Sequence, residues 1–264
     1  MNSLKLVLRM NATSCIAFGL LGLLIPAHIS MFLGDPPVWL VQIVGAVLIA
    51  NGLHLILAAQ RKAINKWEVF YFSFGDLAWW LGSSFLIAMN IWITTTMGAI
   101  TMYAIAFAVA ILGVTQLWMM AVLKNKRSSG EHWIAIKKSY WAMPKWVFVW
   151  LCFLNIYFLI SVLFWPDRLS VVVLIGFVAT GPLLVAQIAF DGGLRRVLGL
   201  AHLVPWVPLL IWLTMYGGNH LYRSVLIILL VICLAFDVFD VWRFWKGDRS
   251  TFGQQHPEPK GADV

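Results

Sequence analysis

Five residues of this chain join a chemistry-bearing side chain to an apolar surround. They are Asn51 and His54 in "LIANGLHLILAAQ", Asp76 in "GDLAWW", His202 in "AHLVPW" and Asp237 in "FDVFDVW". A carboxylate beside an imidazole or a carboxamide could pass a proton or hold a polar ligand, and ionisable groups inside apolar helices are functional candidates by default. The competing role is interhelical hydrogen bonding that fixes packing, worth about 0.6 kcal/mol per contact on average. Asp240, three residues before Arg243, reads as one half of an ordinary ion pair on a helix surface. His54 and His202 raise bis-histidine haem ligation, but neither carries a flanking signature, and no cofactor or metal is expected. H-E-x-x-H, C-x-x-C, G-x-S-x-G and phosphate-cradling glycine loops are all missing from the sequence, so a hydrolase or nucleotide-driven activity has no support. Cys15, Cys152 and Cys233 all fall in apolar runs and read as free thiols behaving as small hydrophobes.

The elements that must position these residues are membrane helices. The chain has 264 residues, of which 61% are hydrophobic and 11% charged, with a mean hydropathy of +0.86. Soluble domains carry roughly a quarter charged residues. Eight apolar runs lie near residues 12–33, 38–59, 68–90, 97–123, 147–165, 169–190, 198–216 and 222–243. A run of about 20 apolar residues crosses a hydrocarbon layer, and in lipid it must be a helix because its backbone has no water to bond. The N-terminal run is longer than a signal-peptide core and lacks a small-x-small cleavage site, so it reads as a retained first span.

Every lysine and arginine except Arg168 and Arg223 falls before the first run, after the last, or in alternate connections. By the positive-inside rule those segments are cytoplasmic, and so are both termini. The pI near 9.6 is then a topology signal, and no nucleic-acid partner is implied. The expected fold is an all-α, polytopic bundle of eight spans in a 4+4 arrangement. Residues 1–123 form a first four-helix module, 124–146 a basic cytoplasmic linker, 147–246 a second module, and 247–264 a polar, disordered tail. Within the linker, Trp133, Ile136 and Tyr140 recur at helical spacing beside Lys137 and Lys138, the pattern of a short helix lying in the membrane interface.

At about 1.5 Å rise per residue, Asp76 lies roughly 12 Å, His54 roughly 9 Å and Asn51 roughly 14 Å from the cytoplasmic ends of their runs. On the same count His202 is roughly 6 Å and Asp237 roughly 9 Å deep. An isolated aspartate costs about 2.5–3.5 kcal/mol on insertion scales. The least costly arrangement is one shared polar cluster of Asn51, His54, Asp76, His202 and Asp237 on the cytoplasmic side.

Further features shape the helices. Gly181 and Pro182, and Pro205 with Pro208, fall inside the sixth and seventh runs and predict bends. Ala46 with Ala50, and Ala104 with Ala108, suit close helix packing. Trp39, Trp67, Trp92, Trp118, Trp146, Trp165, Trp242 and Trp245 cluster toward run ends, as in an interfacial belt. "DLAWW" and "HLVPW", and the turns "FLGDPPVWL" and "FWPDRLSVV", echo one another across the halves.

In the first half, Arg9, Asn11, Gly34, Pro36, Pro37, Asp76, Trp79, Gly82, Ser83 and Gln116, and in the second half "MPKWVFVWLCFLN", "TGPLL" and "GGLRRVLGLAHL", carry a likeness. On these residues each half resembles a family of uncharacterised bacterial four-helix membrane proteins. The resemblance implies the bacterial inner membrane and a two-module build, and it transfers no catalytic residue. The sequence therefore points to a non-enzymatic module that binds a lipid, a small apolar ligand or a partner membrane subunit. Beyond the lipid bilayer, its partners would be another membrane protein or a second copy of itself. A proton-coupled carrier or channel built on the polar cluster is the alternative, and a membrane redox or lipid-modifying enzyme is the third class.

Overall fold

A computed structural model describes residues 2–216 and 221–252. Among them the chain is all-helical, and its one extended pairing is an isolated antiparallel bridge between Arg195 and Thr251. Ten α-helices follow in order: α1 (Asn2–Leu24), α2 (Pro26–Leu33), α3 (Val38–Gln60), α4 (Lys66–Met89), α5 (Thr96–Lys124), α6 (Ser129–Trp141), α7 (Lys145–Leu159), α8 (Arg168–Asp191), α9 (Gly199–Tyr216) and α10 (Leu221–Trp245). The chain divides into two compact units after Lys124.

Seven helical stretches among the described residues are long and apolar enough to cross a membrane: Ser3–Leu24, Val38–Gln60, Thr96–Lys124, Lys145–Phe164, Arg168–Asp191, Arg196–Tyr216 and Leu221–Trp245. The third expected run, now α4, is long enough at 24 residues, yet it is not one of the seven. Lys66, Glu68, Ser73, Asp76, Ser83 and Ser84 dilute its hydropathy. Of these, Ser73, Asp76, Ser83 and Ser84 are buried within the first unit, so the polarity beyond the first turn of α4 faces protein.

The first expected run, 12–33, is two helices. Pro26 lacks an amide hydrogen and starts α2, while α1 reaches back to Asn2 because hydropathy marks only the apolar part of a helix. Gly34, at φ +121°, ends α2 and turns the chain through Pro36 and Pro37 into α3. In contrast, α8 and α9 run unbroken through Pro182, Pro205 and Pro208.

In the first unit α1 packs along α3, α4 along α5, and α1 also touches α5. The α1–α3 seam is a close approach through glycine. A Cβ on Gly19 would stand 2.7 Å from the Gly45 carbonyl oxygen, and one on Gly52 would stand 3.0 Å from the Ala12 carbonyl oxygen. The small residues that pack are thus Gly45 and Gly52, while Ala46 and Ala50 are exposed. On α5 the buried pair is likewise Ala106 and Ala110, against Trp80, with Ala104 and Ala108 outside. Spacing gives the period of a small-residue stripe, and its phase depends on which neighbour the helix meets.

In the second unit α9 packs between α8 and α10. This neighbour order differs from that of the first unit, where α3 has no comparable seam with α4. Tyr157 and Tyr222 join α7 to α10, stacked at 5.1 Å, each hydroxyl donating to the other's backbone carbonyl at 3.1 and 3.2 Å.

The linker does contain a helix. Ser128 and Glu131 cap α6 reciprocally in a capping box. Its inward face, however, is His132, Ile136 and Ser139, not Trp133, Ile136 and Tyr140. His132 Nε2 lies 2.7 Å from the Ala189 carbonyl oxygen, and Ser139 Oγ accepts from the Leu194 amide at 2.8 Å. Trp133, Ile134 and Trp141 are exposed. The expected tail divides as well. Gly247–Phe252 folds back onto the α8–α9 connection, as described below, and residues 253–264 of the expected disordered tail lie outside the described residues.

Candidate functional site

Asp76 sits mid-helix on α4, only 4% exposed. Two other helices supply what it needs. Asn11 Nδ2 of α1 donates to Asp76 Oδ2 at 2.8 Å, and Gln116 Nε2 of α5 donates to the same oxygen at 2.9 Å. Both amides are fully buried. Hydrogen bonds to a charged acceptor contribute roughly 1.5–3 kcal/mol each, which offsets much of the cost of placing a carboxylate in an apolar helix.

The close fit depends on Gly113, one turn before Gln116. A Cβ there would come within 2.8 Å of Asp76 Cβ and 3.2 Å of the Ser73 carbonyl oxygen, so only glycine lets α5 approach α4 at this level. From Asn11 the polar string continues outward through α1 and α3. Cys15 Sγ donates to Asn11 Oδ1 at 3.7 Å, and Asn51 Nδ2 donates to Cys15 Sγ at 3.6 Å. Asn51 and Asp76 thus belong to one connected string, with Cys15 and Asn11 between them.

His54 stands outside that string. Its Nε2 lies 3.2 Å from Glu68 Oε1, which Arg61 also contacts, and its ring packs edge-on against Phe72 at 4.8 Å. Glu68 is eight residues before Asp76 on α4, about 12 Å along the axis. Matching depth was not enough to bring His54 to Asp76, because α3 packs on α1 and α4 on α5.

His202 and Asp237 meet within the second unit, Nδ1 to Oδ1, at 3.2 Å. Gly199 makes that possible: a Cβ on it would stand 2.9 Å from the Asp237 carbonyl oxygen, so the start of α9 lies directly on α10. Cys233 Sγ donates to the second Asp237 oxygen at 3.8 Å, and the His202 ring stacks on Trp206 at 4.4 Å. His54 and His202 therefore each have a carboxylate of their own. Among the described residues, no group of three or more His, Cys, Asp and Glu side chains is arranged to hold a metal ion.

Asp240 is not paired with Arg243. It accepts from Arg196 of the α8–α9 connection, while Arg243 donates to Asp248 at 2.9 Å. Arg196 Nε also donates to Asp248, at 2.7 Å. Arg195 bonds Thr251 Oγ1 at 3.0 Å, and the Phe252 amide donates to the Leu194 carbonyl at 3.1 Å. These contacts clasp Asp248–Phe252 to the connection, around a cavity of about 250 Å³ lined by Arg196, Ser250, Thr251 and Phe252. The Ser250 hydroxyl, followed by Arg196, holds the Asp248 carboxyl down at about 2.

The residues that complete the Asp76 site were each readable as types but not as partners. Asn11 lies one residue before the first apolar run, and Gln116 is a single uncharged amide in a long apolar stretch. The available signal was spacing: Ser73 and Asp76 are three apart on α4, and Gly113 and Gln116 three apart on α5, so each pair shares a helix face. No protein-family model, no curated protein and no solved structure matches this chain.

Proposed function

We propose that this protein is a non-enzymatic integral membrane module that binds a lipid, a small apolar ligand or a partner membrane subunit along its outward helix faces. In this reading α4 is an eighth span, the spans fall into two sets of four, and both ends lie on the cytoplasmic side of a bacterial inner membrane. One observation carries it: the buried carboxylate Asp76 and the His202–Asp237 pair are hydrogen-bonded inside each unit, Asp76 by Asn11 and Gln116 and His202 by Asp237. The outward faces are left to large apolar side chains such as Ile43, Val47, Leu53 and Leu57 on α3. The segregation of basic residues supports the orientation.

A proton-coupled carrier is the second reading, favoured by the hydrogen-bonded string that links α3, α1, α4 and α5 through Asn51, Cys15, Asn11, Asp76 and Gln116. Reconstitution separates the two. Proteoliposomes containing a trapped pH-sensitive dye should show no more proton flux than empty liposomes, and mass spectrometry should find a lipid or subunit retained in fixed ratio after detergent exchange. Proton flux that Asp76→Asn abolishes would contradict the binding module and establish the carrier.

A further inference from the structure

Two side chains beside Asp76 offer more oxygen than their own hydrogen bonds use. Gln116 is fully buried and spends its Nε2 on Asp76 Oδ2, yet its carbonyl oxygen Oε1 has no hydrogen-bond partner. Ser73 is 1% exposed, sits one turn before Asp76 on the same face of α4, and its Oγ is also unpartnered. The Ser73 backbone carbonyl lies against Gly113 beside Asp76 Cβ. Buried polar atoms in native folds are nearly always satisfied, and leaving one unsatisfied costs more than a made bond contributes on balance.

The charges point the same way. Both donors to Asp76 are neutral amides, and among the described residues no lysine, arginine or histidine forms a salt bridge with it: Arg61 and His54 are committed to Glu68. A buried carboxylate is costly unless a proton or an opposite charge neutralises it. One group that accepts from carboxylate, carboxamide and hydroxyl oxygens, and brings a single positive charge, would answer both needs. Hard oxygen ligands select ions of the alkali and alkaline-earth type, and the number of ligand carboxylates tunes which charge is held. A single carboxylate balances one positive charge, so a divalent ion would be left with an excess.

From this we infer that the first unit binds a small monovalent cation of the sodium class, held by Asp76, Gln116 Oε1 and Ser73 Oγ between α4 and α5. The site goes beyond the proposed binding role, since the ion would join the two helices whether or not the module carries any other ligand. Gly113 is part of the design, because a Cβ there would stand 2.8 Å from Asp76 Cβ and force α5 away from α4.

The test uses the full chain purified in detergent, with sodium chloride titrated against choline chloride at constant ionic strength and melting followed by tryptophan fluorescence. A ligand that binds only the folded state raises the melting temperature as its concentration exceeds its dissociation constant. The expected result is a saturable rise with sodium that choline does not produce. Ser73→Ala removes a hydroxyl that makes no hydrogen bond, so it should fold normally and shift the sodium midpoint upward by about tenfold, as expected for a lost ion ligand. Asp76→Asn should abolish the response. Melting indifferent to sodium, or a midpoint unchanged in Ser73→Ala, overturns the inference. A response to pH alone, with sodium and choline equivalent, overturns it equally, because it would make the proton the only cation the site takes.

Discussion

Asp76 keeps its place in an apolar helix because primary amides from two other helices converge on one of its oxygens. Removing one of them leaves the buried carboxylate a donor short. Asn11→Leu should therefore lower stability by about 1.5–3 kcal/mol, the worth of a hydrogen bond to a charged group, read as a lower denaturant midpoint in mixed micelles. Asn51→Leu, at the far, partly buried end of the string, should cost distinctly less. Gly113→Ala places a Cβ 2.8 Å from Asp76 Cβ and should cost about 1–3 kcal/mol as an overpacked contact. At this scale the sequence was half informative. Asp76, His202 and Asp237 stand out because ionisable types are rare in apolar runs. Asn11 and Gln116 do not, because an uncharged amide carries little hydropathic penalty and its partner is set by packing. Asp76 and His54 were expected together on depth alone, and the actual neighbours of α4 parted them.

Helices were easier to read than their faces. The capping residues Ser128 and Glu131 mark the start of α6 in the sequence itself, whereas its inward face of His132, Ile136 and Ser139 depends on where α8 ends. Small-residue stripes on α3 and α5 showed the same limit: their period was legible and their phase was not. The clasp of Asp248–Phe252 was invisible, since a short polar segment with proline beyond it has the composition of a free tail. It is nevertheless testable through acid. Asp248 titrates at about 2 in the folded chain, against an ordinary value of 3.8. A depressed carboxyl contributes its stabilisation above the ordinary value and loses it as pH falls through the folded one. Amide exchange at Phe252, which donates to the Leu194 carbonyl, should stay slow from neutral pH down to about 4, once the intrinsic pH dependence is removed. Protection should then fall between about 4 and about 2. High salt should weaken the clasp above about pH 4, where its partly exposed ion pairs are formed.

At the scale of the whole molecule, all-helical membrane character follows directly from composition and run length, and seven stretches meet both criteria. The eighth is where sequence and structure must be read together. α4 falls short on hydropathy because it carries the residues that bury against α1 and α5, among them Ser73 and Asp76. A helix that pays for its polarity inside the protein can still face lipid with Trp67, Tyr71, Phe74 and Phe85, all exposed. Whether α4 crosses decides the count of spans, and with it the side on which each end lies. In membrane vesicles, with Cys15, Cys152 and Cys233 replaced by alanine, single cysteines at Lys66 and Asn90 would flank this helix. The account predicts that a membrane-impermeant thiol reagent labels Lys66→Cys only from the cytoplasmic side and Asn90→Cys only from the opposite side. Labelling of both from one side would contradict it.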